Sequence, residues 1–154
     1  MNSIAEVRAR VNVYALPVAG GTPREIFRGG TTAGAGNVIS GNFGNGVQLA
    51  YGATGFKVQG NLIGLAADGV TALGNQYSGI YLYNGGSAAL VSGNLIGSDG
   101  DGSNDANERN VISGNQDDGV DIEGAAATGN VVRGNYIGTN AAGSAAVGNT
   151  WDGV

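Results

Sequence analysis

From about Val38 onward, apolar and polar residues alternate in short bursts, each closed by glycine or asparagine. Val47 and Leu49 alternate with Gln48 and Ala50, and Ile80 and Leu82 alternate with Tyr81 and Tyr83. A period of two marks strands with one face buried and one face wet. Glycine and asparagine tolerate the left-handed backbone that a sharp turn between such strands needs. No convincing helical period follows Val38.

The bursts recur in order. GNGVQLA (44–50), YSGIYLY (77–83), DDGVDIE (117–123) and WDGV (151–154) align on Gly46, Gly79, Gly119 and Gly153, spaced 33, 40 and 34 residues apart. A second column holds FKVQGNLIG (56–64), ALVSGNLIG (89–97) and NVVRGNYIG (130–138), and Gly-Asn turns return at 74–75, 114–115 and 148–149. Like strands repeating along one chain direction pair in parallel, and such crossovers are right-handed in roughly 98% of cases. The expected fold is therefore all-β: a single-stranded right-handed parallel β-helix, a solenoid of stacked coils about 4.8 Å apart. Its inward ladders read as Val47, Ile80, Val120 and Val154; Leu49, Leu82 and Ile122; Val58, Val91 and Val132; and Ile63, Ile96 and Ile137. Asn61, Asn94 and Asn135 read as one stacked amide column, and Asn75, Asn115 and Asn149 as another, serving turns rather than ligands.

Residues 1–28 depart from the repeat. Ser3-Ile4-Ala5-Glu6 has capping-box spacing for a short helix, and Val7 to Tyr14 alternates like a strand until Pro17 and Gly20-Gly21-Thr22-Pro23 end it. The expected organisation is an N-terminal cap over 1–28 and one repeat domain over 29–154, with the last coil begun at Gly153 and unfinished. An end without a cap is a template for pairing, so a symmetric homodimer through that coil is expected, with Trp151 as the competing cover.

The strings GGTTAGAGNVISGN, ATGFKVQGNLIG, DANERNVISGN and ATGNVVRGNYIGTNAAGSAAVGN resemble bacterial right-handed parallel β-helix repeat proteins. These belong to the superfamily that includes pectate lyases and periplasmic copper-processing proteins. The resemblance spans about Arg24 to Val154. It implies an extracellular or cell-surface setting and no single activity, because the superfamily holds lyases, hydrolases, epimerases and non-catalytic surface modules.

Composition narrows the chemistry. The 154 residues are 42% apolar but only 6% aromatic, so the core is aliphatic, and 31 glycines need a regular repeat to fold at all. There is no cysteine and no histidine, which removes disulfides, thiolate metal sites and Ser-His-Asp catalysis. A net charge of −5 with scattered basic residues argues against nucleic acid as a partner. No apolar run reaches membrane-spanning length, and the start of the chain lacks the pattern of an export signal.

Two places could carry chemistry. In GSDGDGSNDANE (97–108), Asp99, Asp101, Ser103 and Asp105 are alternate oxygen donors with Glu108 nearby, which is like the opening of a Ca²⁺ loop. Asn104 replaces the glycine of an EF-hand loop and Asn110 its final glutamate, so a solvated loop is the competing reading. Alternation also turns Gln48, Tyr81 and Asp121 outward in one column, with Ala50, Tyr83 and Glu123 beside them and Tyr77, Asp117 and Asp118 at the turn upstream. Tyr77, Tyr81, Tyr83 and Asp121 are the expected sugar-binding residues, since tyrosine rings stack on pyranoses and carboxylates bond hydroxyls. Were the chain an enzyme, Asp117, Asp118, Asp121 and Glu123 would be its acids. The expectation is a non-catalytic scaffold or surface-interaction module that binds polysaccharide weakly. A polysaccharide lyase or glycoside hydrolase is the first alternative, and a structural fragment of a longer repeat protein the second.

Overall fold

In a computed structural model of the chain, residues 36–86 and 88–154 are described in full, together with the backbone of three strands among residues 1–35. The strands are β1 (Glu6–Val7), β2 (Val11–Tyr14), β3 (Arg24–Arg28), β4 (Val38–Ile39), β5 (Val47–Ala50), β6 (Phe56–Gln59), β7 (Leu62–Ile63), β8 (Ile80–Tyr83) and β9 (Leu95–Gly97). After a single-turn helix α1 (Asp105–Glu108) come β10 (Val111–Ile112), β11 (Val120–Glu123), β12 (Val131–Arg133) and β13 (Tyr136–Ile137). They form three sheets, and every pairing between named strands is parallel. Sheet A runs β1-β4-β7-β10-β13, sheet B β2-β5-β8-β11 and sheet C β3-β6-β9-β12. The chain thus visits A, B and C in turn and returns to A one strand further along. One such passage is called a circuit below.

Segment 1–28, expected to be a cap, supplies β1, β2 and β3, which pair with β4, β5 and β6 as the first members of the three sheets. The helix expected at Ser3-Ile4-Ala5 lies outside the described residues. The only described helix is α1.

Side chains stack like on like in the interior. Val47, Ile80 and Val120 are directly paired, as are Leu49, Leu82 and Ile122, although Ile122 and Val154, expected to face inward, are exposed in the last circuits. Val47, Leu49, Ile80 and Leu82 are wholly buried, each contributing about 1.5–3 kcal/mol before entropy is subtracted. The glycine before each sheet B strand has a steric cause. A Cβ on Gly46 would stand 2.5 Å from the Gly79 carbonyl oxygen, one on Gly79 would stand 2.7 Å from that of Gly119, and one on Gly119 would stand 2.6 Å from that of Gly153. The next circuit occupies the space that a side chain would need.

Two expected ladders are out of register. Val58 pairs with Ile96, and Ile96 with Val132, while Ile39, Ile63, Ile112 and Ile137 form the sheet A ladder. Val91 is buried outside any strand, beside the Thr54–Ser92 bridge. The identical pentapeptide GNLIG therefore lies in two different places: Leu62 and Ile63 in sheet A, and Leu95 to Gly97 in sheet C. More chain separates β8 from β9 than β5 from β6, and the 98–109 segment then bridges back to sheet A.

The asparagine columns shift accordingly. Asn37, Asn61, Asn110 and Asn135 form one ladder, with Nδ2 of each donating to Oδ1 of the next at 2.9, 3.0 and 3.0 Å. Asn42, Asn75, Asn115 and Asn149 form a second, at 2.7, 2.8 and 2.9 Å. Asn94 belongs to neither. Its Oδ1 accepts the Phe56 N–H at 2.9 Å and its Nδ2 donates to Asn130 Oδ1 at 2.9 Å.

Asn75 is wholly buried, and its oxygen accepts from both the N–H and the Nδ2 of Asn42. Gln76, its neighbour, is exposed. Asn75→Ala is expected to cost about 1–3 kcal/mol or more by stranding these donors, and Gln76→Ala no more than about 0.5 kcal/mol. Urea midpoints of the two variants measure the difference.

Candidate functional site

The outer face of sheet B carries the residues expected there. Strand pairing sets Gln48, Tyr81 and Asp121 side by side, and likewise Ala50, Tyr83 and Glu123. Because Val47, Leu49, Ile80, Leu82 and Val120 fill the core, the alternate positions of the same strands must point away from it. Ala50 is the exception to the expected exposure, being only 1% exposed.

Tyr81 and Tyr83 stack, with ring centroids 5.3 Å apart and planes inclined by 15°. The Tyr81 hydroxyl donates to Glu123 Oε2 at 2.6 Å. Partial burial, the bond to Glu123 and the nearby charges of Glu123 and Asp121 push the phenol well above its ordinary value. Tyr81 therefore remains a neutral hydrogen-bond donor throughout the physiological range. Beside it lies an open depression of about 300 Å³, lined by Asn45, Tyr77, Ser78, Tyr81, Asp117 and Asp121. Asp118 stands at the rim of the strand, where its Oδ1 accepts the Asp152 N–H at 2.8 Å.

Four carboxylates thus share one face. Burial first, then the charges of Asp118, Glu123 and Asp117, raise the Asp121 pKa. No described cation relieves this repulsion. Lys57 pairs with Asp99 at 3.0 Å, Arg109 lies 4.1 Å from the centroid of the Tyr136 ring, and Arg133 donates to the Ser98 carbonyl at 3.2 Å. All three belong to sheet C or to the segments between sheets C and A.

Asn45 and Ser78 escaped the sequence reading, and Trp151 was not expected on this face. Asn45 and Ser78 sit in turns, where polar residues carry no mark of function. Trp151 looked like a cover for the end of the stack, yet it is 73% exposed.

The acidic insertion folds into a self-bonded loop closed by α1. Asp99, Asp105 and Glu108 each bring one carboxylate oxygen within 4.8 Å of the others, the one described cluster that could hold a metal ion. Asp101 stands outside it and accepts the Ser103 N–H at 2.7 Å. The clustered oxygens already serve the loop. Asp105 accepts the Ser98 hydroxyl and the N–H groups of Gly100 and Gly102, Glu108 accepts the Asp99 N–H, and Asp99 holds Lys57. Ca²⁺ takes six to eight oxygens, so it would have to displace these donors and recruit further ligands.

Comparison of the chain with family models, curated proteins and solved structures finds no significant match.

Two expectations follow from this geometry. Asp105→Ala should lower stability by about 1 kcal/mol, because three loop donors lose their acceptor, and 1 mM Ca²⁺ should not change that loss in thermal melts. Asp121 has the opposite sign. Its folded-state pKa is raised, so the folded protein binds more protons than the unfolded chain between the two values, and ionisation disfavours folding. Asp121→Asn should therefore raise Tm at pH 7. That gain should shrink as pH falls through the raised pKa and vanish below the ordinary value of 3.8.

Proposed function

We propose that this chain is a right-handed parallel β-helix acting as a non-catalytic surface or interaction module that binds a glycan weakly on the outer face of sheet B. The β-helix reading rests on the regular succession of sheets A, B and C and on pairing that is parallel throughout, with handedness following the general preference of parallel crossovers. An extracellular or cell-surface setting follows the resemblance to bacterial β-helix repeats. No described helix is long and apolar enough to cross a membrane.

One observation carries the functional reading: the stacked Tyr81–Tyr83 pair, anchored through the Tyr81 hydroxyl to Glu123 and bordering a polar depression. The two rings lie in near-parallel planes, one stacked on the other, and present apolar ring surface and hydroxyls beside the depression, the combination that a pyranose ring with axial C–H and equatorial O–H groups requires. The depression is open and shallow. It lacks the walls that exclude water and hold a substrate against catalytic groups, which favours binding over turnover.

Asp121 favours the alternative of a glycoside hydrolase, because a carboxyl with a raised pKa is suited to general acid work. The same glycan screen tests both readings. Binding should weaken about tenfold in Tyr81→Ala, and bound oligosaccharides should be recovered intact by mass spectrometry. Glycans that bind Tyr81→Ala as well as the parent place the site elsewhere, and shortened products with Asp121-dependent rates make the chain a hydrolase.

A further inference from the structure

The turn leading into sheet B carries exposed aromatic residues in a defined order. The Tyr77 N–H donates to the Gly44 carbonyl at 3.3 Å, and the Trp151 N–H donates to the Asp117 carbonyl at 3.4 Å. Flanking bonds from Gln116 to Asn75 and from Gly79 to Asp118 fix the same register between those circuits. Gly44, Tyr77, Asp117 and Trp151 therefore occupy one column, one residue per circuit. Tyr77, inside the stack, is 53% exposed, although aromatics of this size ordinarily bury most of their surface, and Trp151, in the last circuit, is 73% exposed. They stand two circuits apart, about 10 Å at ordinary strand spacing. Asp117 lies between them and lines the same depression as Tyr77, Tyr81 and Asp121.

From this arrangement we infer that the face selects a glycan bearing free amines, a polymer of the glucosamine type, with Tyr77 and Trp151 as ring contacts on either side of Asp117. The inference rests on the glycan reading above and names its substrate class. The aromatic spacing is about the length of two linked pyranose rings, so a chain lying along the stack meets both aromatics while its intervening substituent faces Asp117. An ammonium there gains a charge-assisted bond to the carboxylate and the attraction of neighbouring aromatic faces. A uronate would bring like charge against Asp117, Asp118, Asp121 and Glu123, none of which is paired with a described cation. A neutral sugar would gain the stacking and leave the carboxylates uncompensated.

The single tryptophan provides the readout. Fluorescence titrations of the intact chain would compare fully deacetylated chitohexaose, its N-acetylated counterpart, an oligogalacturonate and hexalysine, at low and physiological salt. The deacetylated glycan is expected to bind at least tenfold tighter than the acetylated one, to weaken with salt, and to lose about tenfold in Asp117→Asn. Asp121→Asn is expected to act in the same direction, and its fold is not at risk. Equal binding of the acetylated glycan would overturn amine selectivity while leaving the platform in place, and tightest binding of the uronate would do the same. Hexalysine binding as tightly as the glycan would reduce the face to a charge effect and overturn the sugar. Failure of every glycan on this face, with Tyr81→Ala silent as well, would overturn the glycan reading itself.

Discussion

The asparagine amide oxygen shared between circuits is the constraint on which this structure depends. Where the chain leaves one sheet for the next, its N–H groups point along the stack but have no strand opposite them. In the two long ladders a single Oδ1 accepts both the main-chain N–H and the side-chain Nδ2 of the asparagine one circuit away, as Asn115 does for Asn75 and Asn110 for Asn61. The remaining Nδ2 hydrogen goes to a strand carbonyl, such as that of Ile39 for Asn75 and Val58 for Asn110. Buried amides left without partners would cost more than the bonds contribute, so each asparagine depends on its neighbour one circuit away. It also sets the vertical register that brings Gly46 under Gly79 and Val47 beside Ile80.

That register leaves the outer face of sheet B free. Core packing and turn ladders use the inward positions and the asparagines, and the outer face adds the Tyr81–Tyr83 stack and the Tyr81–Glu123 bond between circuits. Folding is in fact opposed at Asp121, whose ionisation is disfavoured by burial and by three neighbouring carboxylates. The acidic insertion differs. Its carboxylates are occupied by the loop's own N–H groups and by Lys57, and its chemistry is explained from within.

Much of this was legible in the chain. The alternation around Val47, Ile80 and Val120 identified the strands and their buried faces, and the outward column of Tyr81 and Asp121 followed directly. Errors arose where spacing stood in for topology. GNLIG at 60–64 and at 93–97 looked equivalent and was aligned, which placed Asn94 in the column of Asn61 and Val91 in that of Val58. Trp151, the competing cover for the unfinished coil, is 73% exposed. Within 1–28, the alternation up to Tyr14 was legible as a strand, but weak repetition concealed the strand at Arg24–Arg28 and the pairing of this segment with the three sheets.

By itself the sequence determined where strands and turns fall and which side of each strand is buried, because a period of two and a glycine or asparagine stop are local properties. It also determined the aliphatic character of the core and the absence of histidine and cysteine chemistry. Only the tertiary structure decided which sheet each strand joins, which asparagines meet and which exposed aromatics line up. The partners in a ladder lie from 24 to 49 residues apart in the chain. The turns between them differ in length from one circuit to the next, so distance along the chain does not report height in the stack. Register is chosen by hydrogen bonds between circuits, and those exist only once the circuits are stacked.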